Sequence, residues 1–233
     1  MIGTMSVRVV VREAGVVDSP ADLALLDPGE LARAERKGRA APFVTGHALV
    51  RRVLGELVGC DPARLTFERR CATCNSDRHG KPNLVDAPGW HFSLSYTPDV
   101  AVVAVAHGAD VGVDVEDLTD ADFEGFAAAT LARDEVDGFE GLTGHELLVA
   151  RARVWARKEA VLKATGHGLV VDPSEVLVSG PGEAPALVDW RAEEPRPGTI
   201  AIADVDLEAA DHRAAVAALT AQPLEIVVGR QPA

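Results

Sequence analysis

The sequence predicts an α+β fold, arranged as a pseudo-twofold pair of similar α+β subdomains with an active site in the cleft between them. Three observations predict it. Segments of helical and strand periodicity are mixed without a regular β-α-β alternation, which argues against a doubly wound parallel sheet. Ala101–Ala106 can be laid beside Ala214–Leu219, and at the same spacing Val111–Val115 falls on Leu224–Val228 without a gap. A long helical segment precedes each pair, so each half reads as a helix followed by a two-stranded hairpin, the order of a duplicated unit. Finally, 233 residues at 47% hydrophobic and 25% charged suffice to close a core without disulfides. With aromatics at only 4%, that core must rest on Val, Leu and Ala. The halves are placed at residues 1–111 and 112–210, with the strands of about 211–233 available to return to the first half.

Taken in order, the chain opens on an apolar strand, Val7–Val11, followed by a turn-rich segment, Asp18–Glu30. Apolar residues at helical spacing predict helices over Pro28–Lys37 and Gly46–Val58. Phe92–Ser95, Val100–Ala106 and Val111–Val115 read as strands, and Ala121–Ala132, Asp134–Phe139 and Glu146–Thr165 as helices. Gly141–Gly144 is a surface turn, and the Ser179–Pro185 run of Gly and Pro is the clearest loop. After a second turn-rich stretch, Pro195–Gly198, the strands Thr199–Val205, Arg213–Leu219 and Leu224–Val228 close the chain.

Charge narrows the function. With 23 basic and 36 acidic residues the formal net charge is −13, which argues against nucleic-acid binding, because a phosphate backbone must be met by Lys and Arg. No stretch approaches the roughly 18 apolar residues of a membrane span. Arg8 and Arg12 lie in and beside the only apolar run of Met1–Gly15, which argues against a cleavable secretory signal. Three cysteines are too few and too odd for a disulfide framework, and the expected location is a reducing cytoplasm. Only four of the basic residues are lysines (Lys37, Lys81, Lys158 and Lys163), and three of them fall in motifs that could carry chemistry.

The most informative stretch is Gly112-Val-Asp-Val-Glu-Asp117. On a strand, Asp114 and Glu116 share one face while Val113 and Val115 point to the other. Two carboxylates so close repel unless a cation or a shared proton intervenes. Oxygen ligands without His or Cys suit a hard ion such as Mg²⁺, and Mn²⁺ accepts the same donors. On the helix carrying Trp155-Ala-Arg-Lys-Glu-Ala-Val-Leu-Lys163, residues Trp155, Lys158, Glu159, Leu162 and Lys163 fall within an arc of about 140°. That face offers two ammonium groups around a carboxylate, which is what a Mg²⁺-bound diphosphate requires. A surface ion pair of Glu159 with Lys163 is the competing reading. His79-Gly-Lys-Pro82 adds a basic turn, and Phe92-Ser-Leu-Ser-Tyr-Thr97 adds hydroxyls at a strand end.

This ordered set of four motifs resembles the 4′-phosphopantetheinyl transferases of the surfactin-synthetase-activating (Sfp-like) type. The motifs span residues 79 to 163, with weaker similarity from about Leu26 to the C-terminus. The resemblance implies two similar α+β halves with the site between them, working as a monomer. It implies that Asp114, Glu116 and Glu159 hold Mg²⁺ against the diphosphate of coenzyme A. Lys158 and Lys163 would contact the phosphates, and Glu159 or a metal-linked water would take the proton of an incoming serine. Lys81 and Pro82 would lie against the adenine end of coenzyme A, with Ser95, Tyr96 and Thr97 near its phosphates. Arg33 and Arg39 stand where the family places basic residues for the 3′-phosphate. The implied reaction transfers 4′-phosphopantetheine from coenzyme A to a serine of an acyl or peptidyl carrier protein, releasing adenosine 3′,5′-bisphosphate. One departure is Tyr96, where the family usually has His; a phenol is neutral at pH 7, so a cationic phosphate contact is lost there.

Two other readings compete. The same carboxylates could serve a Mg²⁺-dependent hydrolase of a nucleotide diphosphate. Cys71 and Cys74 followed by His79, with Cys60 upstream, could staple an interaction module around zinc.

Overall fold

A computed structural model describes residues 5–69 and 80–231. Cys71, Cys74 and His79, and with them the zinc reading, lie outside the described residues.

The first half begins with β1 (Val7–Gly15), the short α1 (Pro20–Leu23), α2 (Pro28–Glu35) and α3 (Ala41–Val58). Two three-residue strands follow, β2 (Phe67–Arg69) and β3 (Pro82–Leu84), then β4 (Trp90–Tyr96) and β5 (Val100–His107). The second half runs through β6 (Val111–Asp117), α4 (Phe126–Thr130), α5 (Gly144–Thr165), β7 (Val176–Val178) and β8 (Leu187–Trp190). It ends with β9 (Ile200–Val205), β10 (His212–Leu219) and β11 (Leu224–Arg230).

The main strands form two sheets, β11-β1-β5-β4 and β6-β10-β9, flanked by the small pairs β2-β3 and β7-β8. Alternation along β5 explains the layering. Ala101, Val103 and Val105 face α3, where they meet Leu49, Val53 and Leu54. Val102, Ala104 and Ala106 face the other way, onto Val111, Val113 and Val115 of β6 and Val216 of β10. The opposite side of the second sheet, through Ala215 and Ala217, packs on Ala160, Val161 and Ala164 of α5. The result is four layers, helix on sheet on sheet on helix, with an aliphatic core as the composition required.

The structure corrects the expected hairpins. β5 and β6 belong to different sheets, as do β10 and β11. β5 pairs with β1 and β4, β6 pairs with β10, and β11 pairs in parallel with β1, Val7 opposite Leu224. The cause is that β5, apolar on both faces, and β6, buried on both along Val111–Val115, each lie between a helix and the facing sheet rather than beside the sequence neighbour. Helix limits also shift. α3 starts at Ala41 rather than Gly46, because Pro42 fits the first turn, where no amide donor is needed. The expected helix Ala121–Ala132 contracts to Phe126–Thr130, and Asp134–Phe139 lies within a 3₁₀ segment, Arg133–Phe139.

Candidate active site

The acidic end of the site forms where β6 lies against α5. Gly112 permits the approach: a Cβ there would stand 2.0 Å from the Ala160 carbonyl oxygen and 2.3 Å from the Ala164 nitrogen. With the strand so close, Asp114 on β6 meets Lys163 on α5 and Ser95 on β4. Lys163 Nζ donates to Asp114 Oδ1 at 2.5 Å and to Ser95 Oγ at 2.9 Å, and Ser95 Oγ donates to the same carboxylate oxygen at 2.8 Å. Glu116 lies beside Asp114, as strand alternation predicts; burial and the Asp114 charge push its carboxyl up to about 10. Burial and Asp114 also raise Glu159, against the pull of Lys163. Burial opposes the Lys163 charge, yet Asp114, Glu159 and Glu116 outweigh it and hold the ammonium above its ordinary value.

Three carboxylates thus lean on one ammonium, and the cluster is short of positive charge. Asp114 Oδ2 is buried and receives no ammonium, hydroxyl or amide donor, only a proton shared with the neighbouring Glu116 carboxyl. Among the described residues no three His, Cys, Asp or Glu side chains are already gathered into a metal cage. The donor set nevertheless fits a hard divalent cation, since a buried carboxylate oxygen short of donors and two neighbouring acids are what such an ion satisfies.

Lys158 does not join this cluster. It points into the protein, fully buried, and donates to Glu135 Oε2 at 2.5 Å and to the Pro173 carbonyl at 3.0 Å. Lys158 and Lys163 are five residues apart, about 140° around the helix, and the layers on either side of α5 send them to different destinations. The expected pair of ammonium groups around Glu159 is therefore one.

The other end of the site is a cleft of about 800 Å³. Lys163 lies on its wall, together with Arg33, Lys81 and Pro82, so four of the sequence-predicted residues share one space. Phe92, the first residue of the Phe92–Thr97 motif, lines it too, as do His47, Phe67 and Arg69, none of which stands out from the sequence. Arg33 Nε is buried without a partner, a donor waiting for an acceptor. His47 Nδ1 donates to the Phe43 carbonyl at 2.9 Å, and its ring stacks on Phe43 with centroids 3.8 Å apart. Burial lowers its pKa to about 4, and the charges of Arg33, Arg69 and Arg51 add to that against the Phe43 hydrogen bond. Lys81 is committed at its tip, donating to Asp110 Oδ1 at 2.8 Å and to the Ala164 carbonyl at 3.1 Å. His91 also holds Asp110 at 3.1 Å, and this hydrogen bond with the Lys81 contact keeps that carboxyl well below the usual range in spite of burial.

Three predicted residues are placed elsewhere. Tyr96 packs against α3, where a Cβ on Gly46 would stand 3.2 Å from its ring, and it does not line the cleft. Thr97 caps the turn between β4 and β5, accepting from the amides of Asp99 and Val100, with His212 Nε2 at 3.0 Å. Arg39 is exposed and outside the cleft wall.

The three carboxylates fall within a segment that matches a known family. Residues 110–217 match the model of the 4′-phosphopantetheinyl transferase superfamily. The chain is 31% identical over 153 residues to the 4′-phosphopantetheinyl transferase HetI of Nostoc sp., covering 63% of this chain and 62% of that protein. It is 28% identical over 124 residues to the 4′-phosphopantetheinyl transferase psf-1 of Bacillus pumilus, 53% of this chain and 49% of that one. It is 33% identical over 154 residues to the L-aminoadipate-semialdehyde dehydrogenase-phosphopantetheinyl transferase of Eremothecium gossypii, 60% of this chain and 51% of that one. The chain spans less than two thirds of the length of these curated relatives. Each of these relatives bears a phosphopantetheinyl transferase name, and none of the names specifies the surfactin-synthetase-activating branch. Among the described residues no helix is long and apolar enough to cross a membrane.

Proposed function

We propose that this protein transfers 4′-phosphopantetheine from coenzyme A to a serine of an acyl or peptidyl carrier protein, as a Mg²⁺-dependent enzyme of the surfactin-synthetase-activating type. The observation that carries the reading is the meeting, at Lys163, of a buried carboxylate cluster short of positive charge with a cleft lined by Arg33 and Arg69. A magnesium-bound nucleotide diphosphate satisfies both at once. Asp114, Glu116 and Glu159 are the residues to hold the ion, which supplies neutralising charge to the diphosphate. Mn²⁺ suits the same oxygens.

In the reaction the serine oxygen forms a bond to the phosphorus nearer the pantetheine arm. The bond from that phosphorus to the bridging oxygen breaks, and adenosine 3′,5′-bisphosphate leaves. Glu159, its carboxyl raised by burial and by Asp114, is suited to take the serine proton. Lys163 offers its ammonium to the negative charge on the departing phosphate. Arg33, Arg69 and Lys81 hold the nucleotide end, with Pro82 and Phe92 as apolar wall. Lys158 acts from behind, fixing α5 through Glu135, and Tyr96 backs the wall against α3.

The order of elements supports a pseudo-twofold chain. α3 covers the first sheet as α5 covers the second, and the strand exchange is reciprocal: β5 and β11 share one sheet, β6 and β10 the other. With both walls of the cleft on one chain, the expected working unit is a cytoplasmic monomer.

The test is the intact mass of apo carrier proteins after incubation with the protein, coenzyme A and Mg²⁺. Gain of one phosphopantetheine group on a single serine is expected. Consumption of coenzyme A without a carrier would replace the transferase with the diphosphate hydrolase, and stoichiometric zinc in purified protein would revive the stapled module.

A further inference from the structure

The basic end of the cleft has an internal contradiction. Asp27 and Glu30, both acidic, line the same wall as Arg33 and Arg69. Two carboxylates there would oppose an anionic ligand. Arg51, which lies outside that wall and is fully buried on α3, reaches both: Nε donates to Glu30 Oε2 at 2.8 Å and Nη2 to Asp27 Oδ2 at 2.9 Å. Its remaining donors go to the carbonyls of Pro62 and Leu65 at 3.2 and 3.0 Å, and its guanidinium lies 5.0 Å from the Phe67 ring centroid.

Each contact leads to a different part of the wall. Asp27 is the N-cap of α2, and Glu30 is its reciprocal partner: Glu30 N donates to Asp27 Oδ1 at 2.8 Å and Asp27 N to Glu30 Oε2 at 3.0 Å. Fixing these two fixes the first turn of the helix that carries Arg33. The Leu65 carbonyl precedes β2, which carries Phe67 and Arg69. Arg51 itself sits one turn along α3 from His47. One guanidinium therefore ties together the three elements that present Arg33, Arg69 and His47.

We propose that Arg51 is the positioning residue of the nucleotide end: it sets affinity for the phosphorylated adenosine moiety by holding α2 and β2 in register and by cancelling charge on Asp27 and Glu30. The inference rests on the function proposed above. With Arg51 the trio carries one net negative charge, and without it two, facing a ligand that is itself anionic. A buried fork of this kind is also what only arginine supplies, because lysine cannot span two carboxylates and two carbonyls together.

The experiment is calorimetric binding of adenosine 3′,5′-bisphosphate and of coenzyme A, together with transfer kinetics. Arg51→Gln is expected to weaken nucleotide binding by about tenfold or more, equivalent to about 1.4 kcal/mol. KM for coenzyme A should rise in step, with kcat and KM for the carrier protein unchanged. Adding Glu30→Gln to Arg51→Gln restores the net charge of the trio and should recover much of the loss, which a purely structural role does not predict. Arg51→Lys keeps the charge of the trio but cannot span two carboxylates and two carbonyls, and is expected to weaken nucleotide binding by about threefold or more. That variant decides the matter should Arg51→Gln fail to fold. Wild-type affinity in Arg51→Gln or in Arg51→Lys overturns the role of Arg51 while leaving the transferase reading intact. Failure of the wild-type protein to bind either nucleotide overturns both.

Discussion

The carboxylate cluster and the basic cleft, which meet at Lys163, differ in what they leave unsatisfied. Around β6 and α5, Asp114, Glu116 and Glu159 share Lys163, and the leftover atom is an acceptor, Asp114 Oδ2. Around α2, α3 and β2 the carboxylates are tied down by Arg51, and the leftover atom is a donor, Arg33 Nε. A site that bound its ligand through net charge alone would need one sign throughout. Opposite deficits at opposite ends instead select an elongated ligand that brings a cation to one end and an anion to the other. On the proposed function, they also explain how a chain of net charge −13 would accept a polyphosphate: the local pattern decides, and the total does not.

The largest expected effect comes from a residue behind the contrast. Lys158→Met should cost about 3–5 kcal/mol of stability, because it strands the buried Glu135 carboxylate. Lys163→Met should lower the unfolding midpoint by less and act on transfer instead, since its ammonium faces the cleft. Denaturant unfolding and initial rates on both variants separate the roles, and equal stability losses would erase the distinction between them.

Next comes the acidic end. Asp114→Asn keeps the shape and removes the charge, and transfer should fall by about 10²–10³-fold with the fold intact by circular dichroism. Thermal stabilisation by added Mg²⁺ should disappear with it. Near-normal transfer at ordinary Mg²⁺ would break the assignment of this end to a cation.

The basic end makes its own prediction through pH. Folded His47 titrates at about 4, below its ordinary 6.5, so between those values the unfolded chain binds more protons than the folded one. Stability from this residue is therefore full above about pH 6.5 and falls as pH drops toward 4, by about 3 kcal/mol in total. His47→Gln should flatten the stability curve over that window while leaving the acidic end untouched. An unchanged curve would place the imidazole in contact with water rather than among arginines.

Sequence and structure agree where the signal is local. Alternation on β6 put Asp114 and Glu116 together, and helical spacing put Glu159 and Lys163 one turn apart. The helical arc could not tell that its two edges serve different neighbours, which is why Lys158 was placed at the phosphates. Arg51 and Arg69 were invisible for a related reason: nineteen arginines in one chain give no hint which is buried, and burial depends on contacts distant in sequence. The sheet assignment of β5, β6, β10 and β11 failed on the same ground. Neighbouring apolar strands look like a hairpin until the layers above and below them are known.

The parallel pairing of β1 with β11 has a consequence for how the chain is made. β1 leaves the ribosome well before β11, and its valine-rich segment Val7–Val11 gains its outer neighbour only when Leu224–Arg230 has been synthesised. Until then the first sheet offers newly made protein an apolar strand with unpaired amides and carbonyls, the template on which chains aggregate. Closing that edge requires contacts across nearly the whole sequence, a topology that folds slowly. Yield of intact protein should therefore depend on chaperone supply and on leaving the β11 residues undisturbed, far more than on anything near the cleft.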